Sequence, residues 1–163
     1  MRLQARTKKI LALIAVGLMV VLVAFVGVLY ALVRNSSPRL PEITAFAHDR
    51  AEQIPPLAYC NLYLEDCTTG DLAELDVPPG SSLQLSLPQE IVDAPWRMLV
   101  VYQDASGQVL VQEQAHRAGE TRAVTVPSSE DLQLAGVEIQ LPSAVIDEQG
   151  LTQARAAWSI KTA

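Results

Sequence analysis

The sequence predicts a mainly β protein: an N-terminal transmembrane helix followed by an immunoglobulin- or fibronectin-like antiparallel β-sandwich. Three observations carry this prediction. Ile10 to Val33 is an uncharged run of 24 residues, 22 of them apolar. Beyond it, Pro and Gly punctuate the chain so densely that few intervals can hold a helix of ordinary length. Those intervals alternate apolar with polar residues, as half-buried strands do.

At a rise of about 1.5 Å per residue, the run reaches roughly 36 Å as a helix, enough to cross a hydrocarbon core of about 30 Å. A lone span in lipid can satisfy its backbone polar groups only as a helix, which overrides the modest helix propensity of its valines. Arg2, Arg6, Lys8 and Lys9 precede it with no acid among them, against Arg34 and Arg39 beyond. The positive-inside rule then puts the N-terminus in the cytoplasm. A cleaved signal has a shorter apolar region, about 7 to 15 residues, and the best small-residue exit here, after Ser37, is followed by Pro38. The segment therefore reads as an uncleaved signal anchor at the cell membrane. Residues 1–9 form a basic cytoplasmic tail, 10–33 the span, 34–40 a short linker and 41–163 an extracytoplasmic domain. Gly27 and Ala31 make a small-x-x-x-small pair, read as ordinary small residues of a lone helix. Asn35-Ser36-Ser37 fits the glycosylation acceptor pattern but sits against the membrane.

The formal charge of -6 is the sum of two unlike ends. From residue 35 onward, seven basic residues face 18 acidic ones, a net −11. An acidic domain repels phosphates, so nucleic acid is excluded as a partner.

Eight or nine strands are read from these runs. They are Ile43 to His48, Leu57 to Leu64, Leu72 to Val77, Val77 to Leu87, Met98 to Tyr102, Val109 to Gln112, Val124 to Val126, Val137 to Leu141 and Ala156 to Lys161. Leu83, Leu85 and Leu87 share one face, as do Ala156, Trp158 and Ile160. Met98 to Tyr102 is continuous rather than alternating, which predicts a central strand buried on both faces. Turn signals this frequent leave no room for crossover helices, so the sheets are antiparallel and pack as a sandwich. Trp96 and Trp158, the largest side chains outside the span, are the expected anchors of its core.

Cys60 and Cys67 are the only cysteines, separated by six residues, and outside the membrane a disulfide is their natural pairing. A redox dithiol usually has a two-residue spacer, and zinc would need two more ligands nearby; neither pattern is present. His48 and His116 lie far apart and read as solvated surface residues. No Gly-x-Ser-x-Gly elbow, paired metal-ligand helix or phosphate loop accompanies them. Glu65-Asp66 with Asp71, and Asp147-Glu148, offer oxygen ligands to a hard cation, yet no Asp-x-Asp-x-Asp loop is found. No catalytic, cofactor-binding or metal residue is therefore assigned, no cofactor is expected, and the chain does not read as an enzyme. The expected partners are the membrane, crossed once, and an envelope protein. The alternative is an envelope enzyme or small-ligand carrier with a site formed from distant loops. It would use His48, His116 and acids of the 65–71 turn, and requires the two histidines, or one of them and two acids, to converge in a pocket.

The order of features adds a resemblance. The segments are Pro-Glu-Ile-Thr-Ala-Phe-Ala-His (41 to 48), Tyr59-Cys60 through Cys67, Leu83 to Pro88, Ala94-Pro95-Trp96-Arg97-Met98 through Asp104, Val137 to Ser143 and Ala157-Trp158-Ser159. Behind a basic terminus and single span, this succession resembles an actinobacterial family of uncharacterised membrane-anchored or secreted proteins. The resemblance implies an envelope location and carries no site residue with it.

Overall fold

The computed structural model describes residues 5–35 and 39–162, in two units, Met1–Arg39 and Leu40–Ala163. The first unit is a single helix, α1 (Ala5–Asn35). Its segment Leu13–Asn35 is long and apolar enough to cross a membrane, and its side chains there are exposed. The helix continues through Arg34 and Asn35, two residues into the expected linker, and Arg34 stands in its last turn, where a cation favours the helix dipole. Arg2 of the basic tail, and Ser36 and Ser37 of the glycosylation pattern, lie outside the described residues.

The second unit is built from β1 (Ile43–Ala47), β2 (Arg50–Ile54), β3 (Ala58–Tyr59), β4 (Thr68–Thr69), β5 (Ala73–Glu74), β6 (Ser82–Ser86), a one-turn helix α2 (Gln89–Val92), β7 (Trp96–Asp104), β8 (Val109–His116), β9 (Ala123–Pro127), β10 (Leu132–Ile146) and β11 (Thr152–Lys161). A four-stranded sheet has the order β2-β1-β6-β9. A seven-stranded sheet has the order β4-β3-β11-β10-β7-β8, with β5 also on β11. All pairs are antiparallel except β5 with β11. Setting aside β2 and the short β3, β4 and β5, the remaining strands divide as a fibronectin-type sandwich divides. The first, second and fifth (β1, β6, β9) make one sheet and the third, fourth, sixth and seventh (β7, β8, β10, β11) the other.

The alternation read from the sequence puts Ile43, Ala45, Leu83, Leu85 and Val126 of the smaller sheet against Trp96, Met98, Val100, Ile139, Leu141, Ala156, Trp158 and Ile160 of the larger. Ile91 and Val92 of α2 are also buried in this core. Trp158 meets Tyr59 edge to face at 6.3 Å, and its Nε1 donates to the Pro41 carbonyl at 2.9 Å. The last strand is thereby tied to the first residues of the domain.

Four expectations are corrected. β2, a polar Arg-Ala-Glu-Gln-Ile segment, pairs with β1 as an edge strand, which needs no apolar alternation. The run Leu57 to Leu64 yields only β3 because the chain turns at Asn61, whose Oδ1 accepts from the N–H groups of Tyr63 and Glu65 at 3.0 and 2.9 Å. Met98 to Tyr102 is not buried on both faces: Leu99 and Val101 are only half-buried, because no second layer covers the outer face of the larger sheet there. Finally, β8 contributes no residue to the core.

The disulfide Cys60–Cys67 forms, directly after β3 and directly before β4, so it closes the loop end of a hairpin only two residue pairs long. At the hairpin's base the Gly70 N–H donates to the Leu57 carbonyl at 2.9 Å, and a Cβ on Gly70 would collide with the Pro56 carbonyl oxygen. The joint replacement Cys60→Ser, Cys67→Ser is expected to lower stability by at most about 2.5 kcal/mol, the chain entropy of so short a loop. Because the hairpin is peripheral, amide exchange in 61–69 should rise well before that of β10. Equal acceleration in both would contradict a local role for the bridge.

Candidate functional site

Two adjoining features of the larger sheet stand out, a cleft at one end of β7 and β8 and the free edge of β8. The cleft, about 330 Å³, is lined by Pro95, Trp96, Arg97, Ala115, His116, Pro142, Gly150, Leu151 and Thr152. Register pairs Trp96 with His116 across the two strands, so their side chains share a face. The rings stack with centroids 3.9 Å apart and planes inclined by 16°. Trp96 Nε1 and His116 Nε2 are both buried without a hydrogen-bond partner. Arg97, next in sequence, points to the other face. Its Nη2 donates to Gln140 Oε1 at 3.2 Å and to the Thr152 carbonyl at 3.4 Å, while Nη1 pairs with Glu113 at 3.5 Å. Pro142, at the register shift between β10 and β11, and the turn at Gly150–Thr152 supply the remaining wall.

The hairpins on either side use one turn chemistry. Asp104 Oδ1 accepts from the Ser106 N–H and hydroxyl and from the Gln108 N–H, and Gly107 follows at φ +85. Asp147 Oδ1 accepts from the Gln149 and Leu151 N–H groups, and Gly150 follows at φ +82. These are three-residue hairpin loops with glycine in the left-handed region. The Ser106 hydroxyl first, and then the Gln108 N–H, hold the Asp104 carboxyl below its ordinary value. A depressed carboxyl stabilises the fold above its unfolded value, about 3.9, and that contribution is lost as pH falls through the folded value. Amide protection at Ser106 and Gln108 is therefore expected to drop on acidification below about pH 4, and in Asp104→Asn the drop should vanish. A drop that persists in that variant would assign the effect elsewhere.

The second feature follows from where β8 sits. It is the last strand of its sheet and joins no core. Val109, Leu110 and Val111 are 58%, 44% and 62% exposed, so apolar side chains meet solvent on both faces. The Asp104 N–H donates to the Gln108 carbonyl, which makes that pair a hydrogen-bonded one. By antiparallel alternation Leu110, Gln112, Gln114 and His116 then bond to β7, and Val109, Val111, Glu113 and Ala115 turn their backbone groups to the open edge.

The other residues singled out from sequence are dispersed. His48, with Asp49, forms the two-residue β1–β2 turn at φ 46 and 61, a left-handed region in which His and Asp are enriched. It does not line the cleft that holds His116. His116 itself is a correction: it is half-buried against Trp96 rather than solvated. Glu65, Asp66 and Asp71 are exposed around the disulfide loop, and Asp147 is committed to its own turn. Among the described residues no group of three His, Cys, Asp or Glu is placed to hold a metal. Arg97 and Thr152 were not singled out from sequence: nothing in the local pattern brings residues 55 positions apart to one guanidinium.

The chain is 36% identical over 138 residues to uncharacterised proteins of Mycobacterium tuberculosis and Mycobacterium bovis, covering 81% of this chain and 83% of theirs. No solved structure matches it. Residues 36–163 match the family model described as a protein of unknown function, DUF2771. With that match spanning the whole β domain, the chain belongs to the DUF2771 family.

Proposed function

We propose that this is a single-pass membrane protein, N-terminus in the cytoplasm, presenting a non-catalytic interaction domain on the extracytoplasmic side, where an envelope protein adds an extended segment to the open edge of β8. The observation that carries this reading is the edge itself. Long, exposed, apolar edge strands are what soluble proteins avoid unless they pair, and strand addition supplies main-chain hydrogen bonds while alternate side chains supply specificity. The sidedness rests on the basic tail ahead of α1, and a disulfide fits an oxidising compartment. Protease added to wall-stripped intact cells is expected to digest residues 41–163. Protection until the membrane is ruptured would contradict the orientation.

A further inference from the structure

We propose that the outer face of the smaller sheet binds a flat, neutral glycan, a β-linked chain of pyranose rings with equatorial substituents. Alternation turns Ile43, Ala45, Leu83, Leu85 and Val126 into the core and the intervening residues outward. None of the outward residues on β1, β2, β6 and β9 is charged, in a domain whose residues 35–163 carry 18 acids. The two charged residues of these strands, Arg50 and Glu52, sit opposite Ala47 and Ala45 and so belong to the inner face. Register sets Phe46, Gln84 and Thr125 abreast, with Thr44 and Ser86 abreast in the next row and Gln53 beside Thr44. Phe46 is 39% exposed and is the one aromatic residue of these strands. A shallow depression of about 170 Å³, bordered by Thr44, Phe46, Gln84, Ser86 and Thr125, crosses β1, β6 and β9.

The chemistry of this face selects the ligand. With no cation it has no charge partner for a phosphate or carboxylate, and with no acid none for a basic peptide or a hard metal ion. One aromatic among hydroxyls and amides is too little apolar surface for the centre of a protein interface. What the face does carry is groups that both donate and accept, since every hydroxyl and every carboxamide does both. Gln84, Ser86 and Thr125 make no side-chain hydrogen bond among the described residues, so these groups are available to a ligand. Thr44 and Gln53 bond to each other at 3.0 and 3.2 Å, which steadies that end of the face. A sugar ring is the complement: its hydroxyls also donate and accept, and its axial C–H groups form an apolar side that packs on the electron-rich face of an aromatic ring. Neighbouring strands lie about 4.8 Å apart, close to the advance per ring of an extended β-linked chain, so Phe46 and Gln84 fall under successive rings. Equatorial substituents are required because an axial branch would lift the ring off a sheet. The depression is smaller than an enclosed ligand site, as suits one subsite beneath an open chain. This face belongs to the sheet that does not contain β8, so the inference does not rest on strand addition there.

The chain has two phenylalanines, Phe25 in α1 and Phe46, which gives a direct readout. The full chain, labelled with 4-fluorophenylalanine in lipid nanodiscs, is titrated with cellotetraose and with tetra-N-acetylchitotetraose, flat ribbons that differ by the acetamide. The fluorine signal of Phe46 is expected to move saturably with at least one of them, at a Kd of about 0.1–5 mM, while that of Phe25 stays in place; the tighter ribbon identifies the sugar. Gln84→Ala should weaken binding about three- to tenfold, the effect of losing one or two hydrogen bonds. Phe46→Ala, followed through the ligand's own proton signals, should lose it. Val111→Pro should bind the glycan as the unaltered chain does, which separates this site from the β8 edge. The proposal is overturned if neither ribbon gives a saturable shift up to about 20 mM, if maltotetraose, a curved α-linked chain, binds as tightly, or if Gln84→Ala binds unchanged. A Phe46 signal that responds only to the concentration of the chain itself would also overturn it, marking the face as a contact between copies.

Discussion

Replacing Trp158 by alanine is expected to lower the unfolding free energy by about 3–5 kcal/mol, the range for deleting a large aromatic from a packed core. The side chain is 1% exposed, sits in β11 between β10 and the short β3, and lies edge to face with Tyr59. Its removal leaves a cavity between the two sheets and also strips the Pro41 carbonyl of its donor. Trp158→Phe separates the two contributions. It keeps most of the volume and should cost about 1–2 kcal/mol, chiefly the lost hydrogen bond. Since a domain of this size has only about 5–15 kcal/mol in total, the alanine variant should melt markedly lower. Urea unfolding followed by Trp96 fluorescence reads both values. A loss below about 1 kcal/mol for the alanine variant would show that Trp158 is not an anchor of this core.

Val111→Pro is expected to abolish partner binding while leaving the fold nearly intact. The Val111 N–H faces the open edge, so proline removes no bond of the β7–β8 ladder and costs only its local backbone adjustment, about 1 kcal/mol. The same substitution one residue on, Gln112→Pro, deletes a bond to Val100 in β7 and should cost about 3 kcal/mol or more. If added strands use this edge, Val111→Pro should lower recovery of the partner from native membranes at least about tenfold, because it blocks main-chain pairing. Similar stability losses for the two variants would contradict the assigned alternation. Unchanged recovery with Val111→Pro would exclude strand addition at β8.

Strand alternation exposes the long strands of this fold in the sequence because each has one face in a shared core. Leu83 and Leu85 in β6, and Ala156, Trp158 and Ile160 in β11, all lie where their spacing puts them. The same logic misleads at β8. Val109 and Val111 alternate like core residues, yet no core residue comes from β8, and whether a strand is covered depends on the breadth of the opposing sheet, a property of the whole topology. β2 and β4 were illegible for the opposite reason, since exposed edge strands carry no apolar signal. Of the cleft, Trp96 was visible as a large core residue, but its stack on His116 depends on cross-strand register. The approach of Arg97 to Thr152 depends on the shift at Pro142. The Cys60–Cys67 bridge was the one local feature fully readable, because two cysteines outside a membrane have a single pairing.

The proposed interaction runs through the β8 edge on the extracytoplasmic side, and position 111 lies on that open edge. A photo-crosslinking residue placed there in the full chain, activated in intact cells, should yield one discrete adduct with an envelope protein. The same residue at Thr125, on the outer face of the smaller sheet, should yield none. Uncrosslinked monomer alone, or an adduct made only of two copies of this chain, would contradict the claim.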